Sequence, residues 1–344
     1  MRILSQSKFC MSILLFSFGL SACGTENKAV PDSGTAENDA SPEEFLLAPD
    51  DTDGFQLRPQ PFTVAPGEEV YYCYSISIPI DEAEFLLGRI ESRFSVGAHH
   101  LLISTVDTTV PQGQGRCSAN EFGHGITFVE AIGSNLRFLS GAQTPYSVDP
   151  RSDISFSEKY AFYIKPQSTI LLQLHWVNTA DSPQVANTAI NFWRSTSESP
   201  ERLESYFFYH REIALPPGEK TEVAGRCAFP ENSEIVGIVS HMHARGTFFT
   251  ARHFRENGQT ETIYEETSWQ EPEMKTWFDS PPLSFNDNDE LEFRCFFENT
   301  TSEWIYEGDG ANDEMCMLIG IYTGGHNTLW GFPGITGNRC RTVL

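Results

Sequence analysis

Apolar and polar residues alternate in short runs along most of this chain, which is the pattern expected of half-buried β-strands. The clearest run is residues 71–80, YYCYSISIPI. The other runs predicted to be strands are residues 101–106, 159–164, 169–176, 188–193, 205–209, 235–240, 247–254, 291–297 and 317–322. Gly, Pro, Asn and Asp cluster between them, and no segment keeps a sustained helical period. The pattern predicts an all-β fold of short strands arranged as β-sandwiches.

The length of the chain suggests two such units in tandem. At roughly 150 residues per domain, 344 residues correspond to about two domains. Residues 195–201, STSESPE, have the composition of a linker. We therefore predict one domain over residues 51–203 and a second over residues 204–344.

The N-terminus has the features of an export signal. Arg2 and Lys8 precede an apolar run at residues 11–20, which is too short for a permanent membrane anchor. The run ends in the sequence LSAC, which resembles the lipobox of bacterial lipoproteins. That resemblance implies a signal peptide over residues 1–22 and a lipidated Cys23 as the mature N-terminus. Ordinary signal-peptide cleavage nearby is the alternative.

Residues 23–50 are predicted to be an acidic, disordered tether. Residues 24–50 hold seven acidic residues against one lysine, with few large apolar side chains. These features predict an exported lipoprotein that contacts a membrane through its N-terminal lipid only. The outer membrane or the cell surface of a bacterium is the expected location.

The net charge of the chain is −24, with 47 acidic and 23 basic residues. Negative charge of this size opposes binding to phosphate backbones and anionic lipid headgroups. We therefore expect no nucleic-acid partner.

The cysteines point to disulfides. Of the eight, Cys10 lies in the predicted signal peptide and Cys23 is the predicted lipidation site. Six remain, and an even number in an exported protein implies disulfide bonds, although six cysteines allow 15 pairings. If there are two domains, Cys73 and Cys117 either pair with each other or stay free, and the other four lie in the second half.

Five histidines occur close to predicted strands in three places. His241 and His243 are two residues apart, so a strand would present both imidazoles on one face. His99 and His100 are adjacent and can converge only at a strand end or a β-bulge. His175 ends a predicted strand, and Gln173, two residues earlier on the same face, is a candidate to orient it.

Clustered imidazoles suit zinc, copper, nickel or iron. No carboxylate is adjacent in sequence to these histidines, which disfavours the two-histidine, one-carboxylate iron sites. A thioether ligand would favour Cu(I), and Met315 beside Cys316 offers one. The residues indicate an exported transition-metal protein.

These motifs together resemble the copper type II, ascorbate-dependent monooxygenases, the family of peptidylglycine α-hydroxylating monooxygenase and dopamine β-monooxygenase. The resemblance covers roughly residues 55–342. It rests on the motifs AHHLL (98–102), QLH (173–175), HMH (241–243) and DEMC (313–316), with YYC (71–73) and LPPGEK (215–220) near the start of each predicted domain.

The resemblance implies two jelly-roll β-sandwich domains that each carry one copper and face each other across a solvated cleft. By the same resemblance, the ligands of the electron-transfer copper are His99, His100 and His175. The ligands of the copper where dioxygen reacts are His241, His243 and Met315. The implied disulfides are Cys73–Cys117, Cys227–Cys340 and Cys295–Cys316.

The implied reaction is hydroxylation of a C–H bond in a small organic substrate by O2, with electrons from ascorbate or another one-electron donor. Peptidylglycine enzymes hold a peptide carboxylate with an Arg, an Asn and a Tyr. The matching positions here are Val239, Met317 and Ile319, which makes a peptide C-terminus an unexpected substrate and suggests a less polar one. The alternatives are a copper-binding lipoprotein without turnover and a zinc hydrolase with a three-histidine site.

Overall fold

Strands make up most of the chain in the computed structural model, which describes residues 45–79, 84–143, 149–335 and 339–343. The predicted signal peptide, Cys23 and most of the predicted tether lie outside these residues. The first half contains β1 Gly54–Leu57, β2 Phe62–Val64, β3 Glu69–Ser77, β4 Phe85–Phe94, β5 Ala98–Val106, β6 Gly113–Cys117, β7 Glu121–Gly123, β8 Ile126–Thr127, β9 Arg137–Gln143, β10 Arg151–Ser155, β11 Tyr160–Ile164, β12 Thr169–Val177, β13 Gln184–Ala186, β14 Thr188–Arg194 and β15 Glu201–Arg202.

Among its described residues, the second half contains strands and no helix. They are β16 Glu204–Tyr209, β17 Ala214–Leu215, β18 Lys220–Ala228, β19 Ser233–His241, β20 Gly246–Phe254, β21 Thr260–Glu266, β22 Lys275–Thr276, β23 Leu283–Phe285, β24 Glu290–Glu298, β25 Ile305–Tyr306, β26 Met317–Thr323, β27 Leu329–Gly331 and β28 Cys340–Val343. Every predicted strand run overlaps one of the observed strands, so the all-β prediction is confirmed.

One short helix, α1 (Phe128–Gly133), interrupts the strands of the first half. Thr127 caps its N-terminus, and the Thr127 side chain and the Glu130 carboxylate form a reciprocal capping box. Two long strands, β4 and β18, were missing from the predictions. Charged residues occupy alternate positions in both and obscure the apolar face that each strand buries.

Each half is a β-sandwich. In the first, a six-stranded sheet with the order β1-β14-β4-β11-β15, in which β10 also pairs with β4, faces a five-stranded sheet with the order β6-β3-β12-β5-β9. The apolar side chains of the two sheets meet in one core that includes Phe85, Phe162, Leu172 and Leu174. Their burial against each other is the main stabilising contribution to this half.

The second sandwich repeats this plan. Its six-stranded sheet has the order β22-β19-β26-β16-β27, with β23 also paired to β19, and its five-stranded sheet has the order β21-β20-β24-β18-β28. Phe208, Ile238, Phe249 and Phe293 lie in the core between them. The described chain forms one compact unit across both sandwiches, so the division into two domains stays a prediction. No described helix has the length and hydropathy to span a membrane.

Three disulfides fasten the sandwiches. Cys73–Cys117 joins β3 to β6, and Cys227–Cys340 joins β18 to β28 within one sheet. Cys295–Cys316 links β24 of one sheet to the residue before β26 of the other. These are the pairs that the family resemblance implies. The third bond holds the chain next to Met315 against the opposite sheet.

The two sandwiches meet along β9 and β16. Phe138 from β9 packs against Phe207 from β16, and the Ser205 hydroxyl donates a hydrogen bond to the Phe138 carbonyl. The Arg137 guanidinium donates to both carboxylate oxygens of Glu204, at 3.1 and 2.9 Å, and both side chains are almost completely buried. This contact fixes how one sandwich lies on the other.

Glu204→Ala should destabilise the protein by about 3–5 kcal/mol, because it leaves the Arg137 guanidinium buried without its counter-charge. Glu298→Ala, which removes an exposed partner of Lys220, should cost about 1 kcal/mol or less. Urea unfolding of both variants measures the difference. Equal effects would contradict the assigned role of the buried pair.

Candidate metal centre

A β-bulge brings His99, His100 and His175 together. In the pairing of β12 with β5, His175 lies opposite His100, and the next residue, Trp176, lies opposite Ala98. His99 therefore has no partner of its own in β12 and is the extra residue of the bulge. A bulge of this kind rotates one of two adjacent side chains towards the other. The ring nitrogens of the three histidines therefore lie within 4.8 Å of one another, and all three residues are buried.

The turn before β5 needs a glycine. Gly97 has a φ of +99°, and a Cβ at this position would lie 2.7 Å from Trp176 Nε1. Gly97 lets the chain enter the bulge directly beneath the Trp176 indole.

The nitrogen atoms of this cluster fit a bound metal ion. The Nδ1 atoms of His99 and His100 are 3.3 Å apart. When two nitrogens each lie about 2.0 Å from one metal ion at a near-tetrahedral angle, the distance between them is roughly the same as this separation. His175 Nδ1 has no hydrogen-bond partner although it is buried. A buried polar atom without a partner is costly, and a metal ion would satisfy it.

Glu69 fixes the orientation of His175. The Nε2–H of His175 donates to Glu69 Oε1 at 2.8 Å, which leaves the Nδ1 lone pair for a metal. That hydrogen bond is the main reason why the pKa of Glu69 is lowered to about 2. The sequence analysis did not identify Glu69, because it lies 106 residues from His175 and resembles any charged residue at the start of a strand.

The second set of candidate ligands lies at the end of β19. His241 is its last residue and His243 follows it, with ring centroids 5.2 Å apart. His241 Nδ1 lies 2.6 Å from Gln143 Oε1, and His243 Nδ1 donates to the Asp313 carbonyl at 3.0 Å. These hydrogen bonds leave Nε2 of each ring for a metal. His243 Nε2 is buried without a partner.

Met315 is placed beside this pair by strand pairing. Met317 lies opposite His241 in the register of β26 with β19, and Met315 lies two residues before it. Met315 is buried and lines the same cavity as His100 and His241. Its thioether is thus available near the second pair of imidazoles, next to the Cys295–Cys316 disulfide.

Glu314 supports the same site from within the protein. Its carboxylate is fully buried and accepts hydrogen bonds from the main-chain N–H groups of His243, at 3.1 Å, and Arg245, at 2.7 Å. Burial outweighs these hydrogen bonds and raises the pKa of Glu314 to about 7. In the sequence, Glu314 stands out only as part of the DEMC motif, and nothing in the pattern indicates its role.

Residues 309–315, called here the bridging segment, contact both sets of histidines. The Tyr71 hydroxyl donates to the Asp309 carbonyl, and Ala311 N donates to Glu69 Oε1 at 2.9 Å. Further along, Asp313 accepts from His243, and the segment ends at Met315. One stretch of seven residues therefore holds ligand-orienting groups of both sites.

The two sets of histidines contact each other. The ring centroids of His99 and His243 are 5.8 Å apart, and those of His100 and His241 are 6.3 Å apart. The solvated cleft implied by the resemblance is thus wrong for these four rings. The contact of β9 with β16 and the bridging segment draw the sandwiches together here.

Burial keeps the imidazoles of His99, His100, His241 and His243 neutral. It lowers the pKa of His99 to about 3 and that of His243 to about 4, and it holds the pKa values of His100 and His241 well below their usual range. Neighbouring histidines add to the effect. Neutral rings offer lone pairs to a metal at neutral pH without first releasing protons.

The Gln173 amide is hydrogen-bonded to the main chain of a neighbouring loop. Its amide nitrogen donates to the main-chain carbonyls of Ala119, at 2.9 Å, and Glu121. These bonds hold the loop after β6 near the Cys73–Cys117 disulfide. The orienting hydrogen bond that we expected from Gln173 is supplied to His175 by Glu69.

Glu69→Gln should weaken copper binding at the three-histidine cluster about tenfold or more, since the loss of the negative charge loosens the tautomer and position of His175. Glu68→Gln is a matched control, because Glu68 binds Arg116 and the main chain but no histidine. Competition with a chelator gives both affinities. Equal affinities in the two variants would exclude the role assigned to Glu69.

The metal-free protein should lose stability as the pH falls from about 6.5 towards 4. The unfolded chain takes up protons on His99 and His243 near pH 6.5, whereas the folded chain resists until about pH 4 or below. At pH 5 the loss is about 2 kcal/mol for each of these histidines.

Urea unfolding of the metal-free protein near pH 7 and near pH 5 measures this loss. His99→Asn should reduce the pH dependence, and substitution of the exposed His326 should leave it unchanged. The same slope in all three proteins would show that the buried rings are not its source.

Comparisons with known proteins give weak similarities to solved structures and one match to a family model. No curated protein matches the chain. Among solved structures, the major capsid protein P2 of bacteriophage PM2 is similar, with 12% identity, a TM-score of 0.32, and coverage of 78% of this chain and 96% of that one. The PBSX exported protein XepA follows with 6% identity, a TM-score of 0.25, and coverage of 81% and 89%.

Residues 203–330 match the family model for the C-terminal domain of copper type II ascorbate-dependent monooxygenases. This range contains His241, His243 and Met315. The match covers 128 of the 344 residues and makes the second sandwich similar to the C-terminal domain of that family.

Proposed function

We propose that this protein is a copper-dependent monooxygenase that hydroxylates a C–H bond of a small organic substrate with O2 and a one-electron donor such as ascorbate. The observation that carries the proposal is the cluster of five imidazoles, four buried and one (His241) half-buried, beside Met315 and open to a cavity. Within it, His175 Nδ1 and His243 Nε2 are buried without a hydrogen-bond partner. The match of the C-terminal region to the family model supports the same conclusion.

Two copper ions are proposed per chain. His99, His100 and His175 would hold one, and His241, His243 and Met315 would hold the other. The soft thioether favours the reduced ion at the second position, whereas three imidazoles serve either oxidation state. Bound copper would supply one-electron chemistry and activation of O2.

The remaining residues set the conditions for this chemistry. Glu69 keeps the proton of His175 on Nε2, and Asp313 keeps that of His243 on Nδ1, so the other nitrogen of each ring faces the metal. The side chains of Glu314 and Met315 exclude water on the side of the bridging segment. Contact between the two histidine sets gives electrons a short path between the proposed sites.

The proposed monooxygenase is exported and is held at a bacterial membrane by a lipid on Cys23. Export agrees with the three disulfides, which persist in oxidising compartments. Incorporation of labelled palmitate into the full chain, and its loss in Cys23→Ser, would test the lipid anchor.

The purified chain should bind two copper ions, and Met315→Leu should bind about one when a competing chelator is present, because the second site loses its thioether. Met317→Leu is the matched control, because Met317 lies two residues after Met315, at the start of β26, and is not a proposed ligand. Metal analysis of the three proteins gives the stoichiometries. Zinc in place of copper, or one copper that is unaffected by Met315→Leu, would contradict the proposal.

Turnover separates an enzyme from a copper-binding protein. With ascorbate, the wild-type protein should consume O2 in step with a hydroxylated product, and His175→Ala should stop this consumption. Two tightly bound copper ions without such turnover would instead identify a copper-binding lipoprotein.

A further inference from the structure

A cavity of about 590 Å³ lies against the candidate metal centre, in the size range of sites for drug-sized ligands. His100, His241 and Met315 line it at the metal end. Both sandwiches contribute to its walls. A molecule in this cavity would therefore lie next to the proposed site of O2 chemistry.

The walls of the cavity are largely apolar. The first sandwich contributes Leu102 and Phe138, and the second contributes Phe207, Val239 and Ile319. Val239 and Ile319 face each other in the register of β19 with β26. These are two of the positions where peptide-hydroxylating relatives would place carboxylate-binding side chains.

The cations on the cavity are already paired. Arg211 Nε donates to Glu307 Oε1 at 2.9 Å, and Arg151 Nε donates to Asp149 at 2.7 Å. Both arginine side chains are more than half exposed, so they lie at the rim. Glu307 also accepts from Tyr209, and Asp309 adds a further acidic group near Tyr71. Among the described residues that line the cavity, none offers an unpaired cation to an anionic ligand.

We propose that the cavity binds an uncharged, largely apolar substrate and excludes molecules that carry a carboxylate. This inference names the substrate class of the monooxygenase and rests on that proposed function. Apolar walls favour the transfer of hydrocarbon surface from water. A carboxylate would lose its hydration beside Glu307 and Asp309 and would meet no unpaired cationic side chain among the described lining residues, which is strongly unfavourable.

Three probes with one hydrocarbon skeleton test the proposal: phenylbutanol, phenylbutyrate and phenylbutylamine. Isothermal titration into the full chain without reductant, both metal-free and copper-loaded, measures binding alone, and the metal-free chain separates contact with the cavity walls from ligation of copper by a charged probe. The alcohol should bind at least about tenfold more tightly than the carboxylate, a difference of about 1.4 kcal/mol. It should also bind more tightly than the amine, because Arg211 and Tyr209 already occupy the Glu307 carboxylate. Equal or tighter binding of either charged probe, or no binding of the alcohol, would overturn the proposal.

Val239→Arg places a cation on the cavity wall. This variant should bind the alcohol about tenfold more weakly than the wild-type protein does. It should bind the carboxylate at least as tightly as it binds the alcohol, because an ion pair replaces an apolar contact. Val185→Arg, at an exposed position of β13, should leave all three affinities unchanged. If Val239→Arg also left them unchanged, the probes would be binding elsewhere and the proposal would fail. Should that variant not fold, the wild-type preference among the probes still decides.

Binding without reductant separates this inference from the proposed function. If the alcohol binds with the stated preference but is not hydroxylated when ascorbate and O2 are supplied, the monooxygenase proposal fails and the binding preference stands. If a hydroxylated product forms from the carboxylate in preference to the alcohol, the substrate class is wrong and the monooxygenase proposal stands.

Discussion

One carboxylate oxygen connects the two halves of the candidate metal centre. Glu69 Oε1 accepts a hydrogen bond from His175 in the first sandwich and another from the main-chain N–H of Ala311 in the second. An oxygen held by both donors fixes the imidazole and the bridging segment relative to each other. Because the same segment orients His243 and ends at Met315, the geometry of each ligand set depends on that of the other.

The larger contacts make this hydrogen bond possible. Phe138 and Phe207 pack the sandwiches together, and the buried Arg137–Glu204 pair allows only an arrangement that keeps both charges paired. Cys295–Cys316 fastens the end of the bridging segment to the far sheet of the second sandwich. The precision of the site therefore comes from sheet packing, and its loops are held at both ends.

Strand alternation accounts for what could be predicted from the sequence. It located ten strands, placed His241 and His243 on one side, and required a strand end or a bulge at His99 and His100, of which the structure has the bulge. Glu69 and Gln143 could not be found in this way, because each meets its histidine across about a hundred residues of chain. Contact between the two histidine sets depends on how the sandwich surfaces fit, and alternation within a strand carries no information about that fit.

The β-bulge at His99 makes the three-histidine cluster depend on the number of residues in β5 as well as on their identity. In regular pairing, His99 and His100 would project from opposite faces of the sheet, one into the core and one outward. A single-residue deletion that removed the bulge would leave all three histidines in the chain and still dismantle the cluster. A search for related clusters that counts histidines but ignores strand register would therefore accept sequences that cannot bring the three imidazoles together.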